Sequence, residues 1–188
     1  RVRVESTSLM SRLVTASNLL CLTLLLAFLS APTAEAQTTR EEALAQAFPG
    51  AAIRAERVFL TEAQRSAAEA QSDGDVPSLL IARYVATVDW DSVGTAYVDT
   101  HVVRTKNESL LISLDPEGQV KRIEVIAFLE PPQYRVPELW LDQYEGKSLN
   151  QELNLNRAIR PIAGATLTAR ATTAAVRRVL AIDRVLNE

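Results

Sequence analysis

The residues of this chain best suited to hold a ligand lie in PIAGATLTARATTAAVRRVLA, residues 161–181. Gly164 and Ala165 are small enough to let backbone approach a bound group closely. Thr166 and Thr168 bring hydroxyls to the point where an amphipathic helix starts. Free backbone N–H groups at a helix start, together with the positive end of the helix dipole, favour an anion such as a phosphate. Thr166 could also carry that phosphate covalently, as an ester. A plain loop closed by a threonine cap at Thr168, with small neighbours required for packing, accounts for the same residues. Both readings stand at this point.

Composition removes other chemistries. Arg12, the apolar run at residues 19–29 and Ala34-Glu35-Ala36 before Gln37 read as a secretory signal peptide over residues 1–36, with Met10 as initiator. The run is shorter than the roughly 20 residues a membrane span needs. Cys21, the sole cysteine, lies inside it, so residues 37–188 have no thiol for a disulfide or a thiolate metal site. With His101 the only histidine, a histidine-based zinc or catalytic site is also excluded. Residues 37–188 carry 17 basic and 21 acidic groups, a net −4 without a long basic run, which argues against nucleic acid as a partner. The expectation is one exported domain of 152 residues, soluble outside the cytoplasm after cleavage.

The elements that must position the threonines form an α+β pattern. A short helix over residues 39–47, capped by Thr38 or Thr39, ends at Phe48-Pro49-Gly50. A second helix runs from Thr61 to an exit at Gly74. Four strands follow, at residues 78–88, 95–105, 109–114 and 119–129, the first pair joined by a turn at 89–94. In the second strand Ala96, Val98, Thr100 and Val102 alternate with Tyr97, Asp99, His101 and Val103, a half-buried pattern. Asp115-Pro116-Glu117-Gly118 is a hairpin turn with proline at its second position. No strand–helix–strand alternation suggests a parallel sheet, so the strands read as an antiparallel meander.

Residues 133–161 read as irregular, with Trp140, Tyr144 and Leu149 as anchors on the sheet. A closing helix from about 169 to 186 has the apolar stripe Ala171, Ala175, Val179, Ile182 and Leu186. Arg170, Arg177 and Arg184 recur on another face, read as solvated or as meeting an acidic redox partner. His101 reads as a surface or hydrogen-bonded residue, and Glu130, before two prolines, as a turn-forming acid.

Three segments in order resemble the FMN-binding domain family, which includes the flavoprotein subunits of sodium-translocating quinone reductase and of the Rnf complex. They are AYVDTHVVRTKNESLLISLDPEGQVKRIEVIAFLEPPQY (96–134), YRVPELWLDQYEGKSL (134–149) and AGATLTARATTAAVRRVLA (163–181). The family motif is Asp-x-x-Ser/Thr-Gly-Ala-Thr, often with a second hydroxyl two residues on. The resemblance implies a cofactor site at Gly164, Ala165, Thr166, Leu167 and Thr168, with Thr166 the residue that carries FMN in a phosphoester set by a flavin transferase. It places Glu130 in an acidic loop near the flavin. Arg160 stands at the motif's Asp position and Ala163 at its Ser/Thr position, so covalent attachment and tight non-covalent binding both remain open; Arg160 can pair with a phosphate directly.

The implied role is electron transfer with an extracytoplasmic or membrane redox partner. No acid–base pair or nucleophile–base arrangement is visible, which favours a carrier over a substrate-specific enzyme. The alternative is a flavin-free periplasmic binding or assembly module on the same fold.

Overall fold

A computed structural model of the chain describes residues 38–188. The expected signal peptide and the cleavage point before Gln37 lie outside the described residues. Helix α1 (Arg40–Ala47) starts at a capping box: Thr39 accepts from the Glu42 amide, and Glu42 accepts from the Thr39 amide. Helix α2 (Glu62–Ser72) repeats the device with Thr61 and Gln64 and ends at Asp73, which adopts a left-handed backbone before Gly74. Local sequence alone therefore sets these helix starts.

Five strands form one antiparallel sheet in chain order: β1 (Ala52–Phe59), β2 (Leu80–Val88), β3 (Asp91–Val102), β4 (Asn107–Leu114) and β5 (Val120–Phe128). The expected meander is present with one strand more. β1 was not expected because it is an edge strand, exposed along most of its length, and so carries no clear apolar alternation. The turn between β2 and β3 is also tighter than residues 89–94. Asp89 and Trp90 both have positive φ, at 49° and 75°, which makes a two-residue hairpin turn and returns residues 91–94 to the strand.

Both faces of the sheet are covered at its centre, so residues 94–97 of β3 are all buried rather than alternating. On one face α1 packs Leu44, Ala47 and Phe48 against Tyr84, Ala86, Ala96 and Leu111. Gly94 permits this approach. A Cβ there would lie 2.3 Å from the Leu114 carbonyl oxygen and 2.7 Å from a Phe48 ring carbon.

The other face is closed by the last helix, α4 (Thr166–Asn187), together with α2 and the segment after β5. That segment is less irregular than expected: it holds a 3-10 turn at Pro132–Tyr134, a one-turn helix α3 (Glu138–Leu141) and a second 3-10 turn at Asp142–Tyr144. Trp140, Tyr144 and Leu149 are buried anchors there, as expected.

Helix α4 buries Ala175, Val179 and Ile182 of the expected stripe, while Ala171 and Leu186 are only half-buried. Much of its remaining buried surface is polar. Asp183 accepts from Tyr97 at 2.7 Å and from Thr95 at 3.1 Å. The arginines do not form a solvated stripe: Arg177 is buried on backbone carbonyls, and Arg184 donates to the Leu149 carbonyl. Only Arg170 of the three is exposed without such a bond among the described residues. Long guanidinium side chains here satisfy carbonyls at the end of α2 and in the segment after β5.

Candidate functional site

Helix α4 begins three residues earlier than its apolar periodicity suggests, at Thr166. Its N-cap position is Ala165, which has no side chain able to cap, and the first intrahelical bond runs from the Ala169 amide to the Ala165 carbonyl. The amides of Thr166, Leu167 and Thr168 thus have no intrahelical acceptor. Gly164 makes the entry turn with φ +84°, and a Cβ added there would meet nothing within 4 Å. Open space therefore faces an uncapped helix start, where three free N–H groups and the helix dipole concentrate positive potential.

Gly164, Ala165, Thr166, Leu167 and Thr168 line a cleft of about 170 Å³, with Arg104 and Tyr134 as the opposite wall. The Arg104 guanidinium stacks on the Tyr134 ring at 4.4 Å from its centroid. Leu167 is exposed and adds an apolar rim. The lining has a cation, free amides and no carboxylate, so its chemistry suits a phosphate, and the Leu167 and Tyr134 surfaces suit a flat or aliphatic group beside it. The residues present therefore fit the phosphate end of an FMN.

The individual threonines divide in role. Thr166 is exposed, and its hydroxyl donates to the Ile162 carbonyl at 3.2 Å, which leaves the oxygen's lone pairs facing outward. Thr168 is not the cap. It is the third residue of the helix, buried, and its hydroxyl donates to the Tyr134 carbonyl at 2.5 Å. Thr168 thereby ties the helix start to the 3-10 turn that carries the cleft's aromatic wall.

Glu130 is a buried organiser of the neighbouring loop. One carboxylate oxygen accepts from the amides of Arg104, Thr105 and Lys106, at 3.2, 2.6 and 2.8 Å. The Thr105 and Lys106 amides in particular hold its pKa below the usual carboxylate value. By fixing that loop Glu130 fixes Arg104, and a depression lined by Glu130, Arg104 and Tyr134 continues from the cleft. Arg160 is not brought in. Its amide donates to the Gln143 side chain and its carbonyl accepts from the Trp140 indole, while its side chain is outside the cleft lining.

Sequence reasoning missed Arg104 and the wall role of Tyr134. Arg104 sits in a short charged turn with no motif of its own. Tyr134 stands in both of the first two resembling segments, next to Pro131-Pro132, and that proline pair was the available signal for a built turn.

His101 is the centre of a buried ionic cluster. Its Nδ1 lies 2.9 Å from Asp99 and its Nε2 3.0 Å from Glu108, while Arg178 donates two hydrogen bonds to Asp99. Burial opposes the imidazolium, but the hydrogen bonds to Asp99 and Glu108 outweigh it and raise the pKa to about 9. Burial likewise pushes Asp99 up, and its bonds to His101 and Arg178 prevail, holding it at about 2. Among the described residues no group of histidine, cysteine and carboxylate side chains has the arrangement of a metal site.

Residues 106–181 match the family model described as FMN-binding domain. The match contains β4, β5, Glu130, Tyr134 and the whole of the Gly164–Thr168 turn, and it begins two residues after Arg104. No curated protein matches the chain.

Proposed function

Since residues 106–181 match the FMN-binding domain family model, we propose that the chain is an exported flavoprotein that carries electrons outside the cytoplasm, with its FMN phosphate seated at Thr166. The observation that carries this reading is the uncapped start of α4 opening onto a cleft with Arg104 opposite. Bound FMN supplies transfer of electrons one or two at a time. The amides of Thr166, Leu167 and Thr168 donate to the phosphate, and Arg104 adds a charge-assisted contact. Gly164 leaves the approach open. Leu167 and Tyr134 keep water from part of the bound group, while Glu130 and Thr168 hold the two walls in place.

No residue of the lining is a carboxylate, histidine or thiol, and the single phenol, Tyr134, has no base beside it in the lining, so the cleft holds no acid–base pair for a substrate. That supports a carrier over a substrate-specific enzyme. The exposed Thr166 hydroxyl supports a phosphoester formed there by a flavin transferase. Arg160 and Ala163, at motif positions that are otherwise acidic and hydroxylic, are the departures that would leave the FMN held without a covalent bond. Export is supported by Ala34-Glu35-Ala36 behind an apolar core, and no helix among the described residues is long and apolar enough to cross a membrane.

The test is production with the signal segment beside a flavin transferase. A flavin that survives denaturation gives a fluorescent gel band, and Thr166→Ala removes the band while the protein still folds. Thr168→Ala keeps the band but lowers the melting temperature, because it cuts the tie to Tyr134. Colour that is lost on denaturation identifies non-covalent FMN. A colourless protein that ignores added FMN in a titration refutes the flavin reading and favours a flavin-free module. The exported form begins at Gln37; N-terminal sequencing that recovers Met10 or an acylated Cys21 from membranes overturns that part.

A further inference from the structure

Helix α4 presents Thr166, Arg170, Thr173 and Arg177 at spacings of four, three and four residues, which is one face of an α-helix. All four line a second cleft, of about 260 Å³, walled by Asn154, Asn156 and the end of α2 at Asp73. Thr166 thus borders both this cleft and the one facing Arg104.

Arg177 is only 7% exposed. Its Nε donates to the Ser72 carbonyl at 2.9 Å, and its Nη1 to the carbonyls of Asn150 and Leu153 at 2.7 and 3.3 Å. Its Nη2 has no acceptor among the described residues, and no carboxylate among them pairs with it. Carbonyl oxygens bear partial charge only, so a nine-tenths buried guanidinium is left with a net positive charge and a free donor on the wall of a cleft. Arg170, about two turns towards the helix start, adds a second cation. Asp73 is the one acidic residue in the lining.

We propose that this cleft is a second ligand site, which takes a small oxyanion, carboxylate or phosphate, on the free Nη2 of Arg177 and the guanidinium of Arg170. Nη2 of Arg177 offers such a group N–H donors strengthened by burial, and the exposed Arg170 offers a planar guanidinium fork. The amides of Asn154 and Asn156 supply neutral partners for further oxygens of the ligand. The oxyanion has two possible sources, a free small molecule or a phosphate carried on Thr166 at the cleft's other end. The site itself does not depend on the flavin reading, since no part of it requires Thr166 to be modified.

The test uses the mature chain labelled with ¹⁵N and titrated with inorganic phosphate or succinate at constant ionic strength, with chloride as control. Saturable shifts are expected at the amides of Gly74, Asn156 and Ala174 and at the Arg177 Nε–H, with a Kd on the order of 1 mM and no response to chloride. Arg170→Gln should weaken binding about tenfold. Arg177→Lys, which keeps the charge and loses the free fork nitrogen, should abolish it; if that variant does not fold, Arg170→Gln alone decides.

Repeating the titration on FMN-loaded protein separates the sources. Binding that persists means a free oxyanion, and binding that disappears on loading but returns in Thr166→Ala means that the flavin's own phosphate fills the cleft. Absence of saturable shifts at these positions, the same shifts with chloride, or an affinity unchanged by Arg170→Gln overturns the proposal. A protein that binds FMN but no oxyanion here sinks this inference alone, and the converse result sinks only the flavin reading.

Discussion

Raising the pH should unlock the sheet from its last helix, because the His101 cluster is the charged joint between them. His101 and Asp99 share one face of β3, Glu108 lies opposite His101 on β4, and Arg178 reaches Asp99 from α4. Thr172, also on α4, donates to Glu108 at 3.4 Å. The folded pKa of His101 is about 9 against an ordinary 6.5, and a raised histidine pKa stabilises the fold fully only below the unfolded value. That contribution falls as the pH rises from 6.5 through 9. At 1.36 kcal/mol per pKa unit it amounts to about 3 kcal/mol.

Asp99 works in the opposite direction. Its folded pKa of about 2 against 3.8 gives stability that is present above 3.8 and lost as the pH falls towards 2. The two together predict a stability plateau from about pH 4 to 6.5 with a loss on either side. Urea unfolding followed by tryptophan fluorescence across that range measures it. His101→Gln should flatten the alkaline limb and lower the plateau, because Glu108 is fully buried and loses its cationic partner. If the wild-type protein loses no stability between pH 6.5 and 9, His101 is not held as an imidazolium and the joint does not work as described.

Gly94→Ala should cost about 3 kcal/mol or more, since the new Cβ overlaps the Leu114 carbonyl and the Phe48 ring at φ +142°; an unchanged melting temperature would mean that Phe48 is not seated there. Val179→Asp places an unpaired charge at a 2% exposed position and should lose about 3 kcal/mol by the same melt, with a wild-type curve showing that α4 is not docked. Tyr97→Phe removes the shorter of the Asp183 hydrogen bonds and should cost about 1–2 kcal/mol in urea unfolding, and a neutral result would show that Asp183 is satisfied without it.

Short-range features of the chain were legible in its sequence. Thr39 and Thr61 cap helices because their partners Glu42 and Gln64 stand three residues on, and Asp115-Pro116-Glu117-Gly118 turns a hairpin by its own torsional preferences. Gly164 to Thr168 could likewise be picked out as a ligand-holding turn, since small residues before a helix announce an open N-terminus. β1 was invisible because exposure on both faces erases the alternation that marks a strand. The start of α4 was misplaced by three residues because apolar periodicity records burial, and its first two residues, Thr166 and Leu167, face the cleft instead. Arg104, Glu130 and Tyr134 meet that turn only through pairing of β4 with β5 and the loop amides folded onto one carboxylate. The same holds for Arg177, whose heptad spacing suggested a solvated stripe. What surrounds a charge in three dimensions, not its place in a pattern, decides whether it faces water, a carbonyl or a ligand.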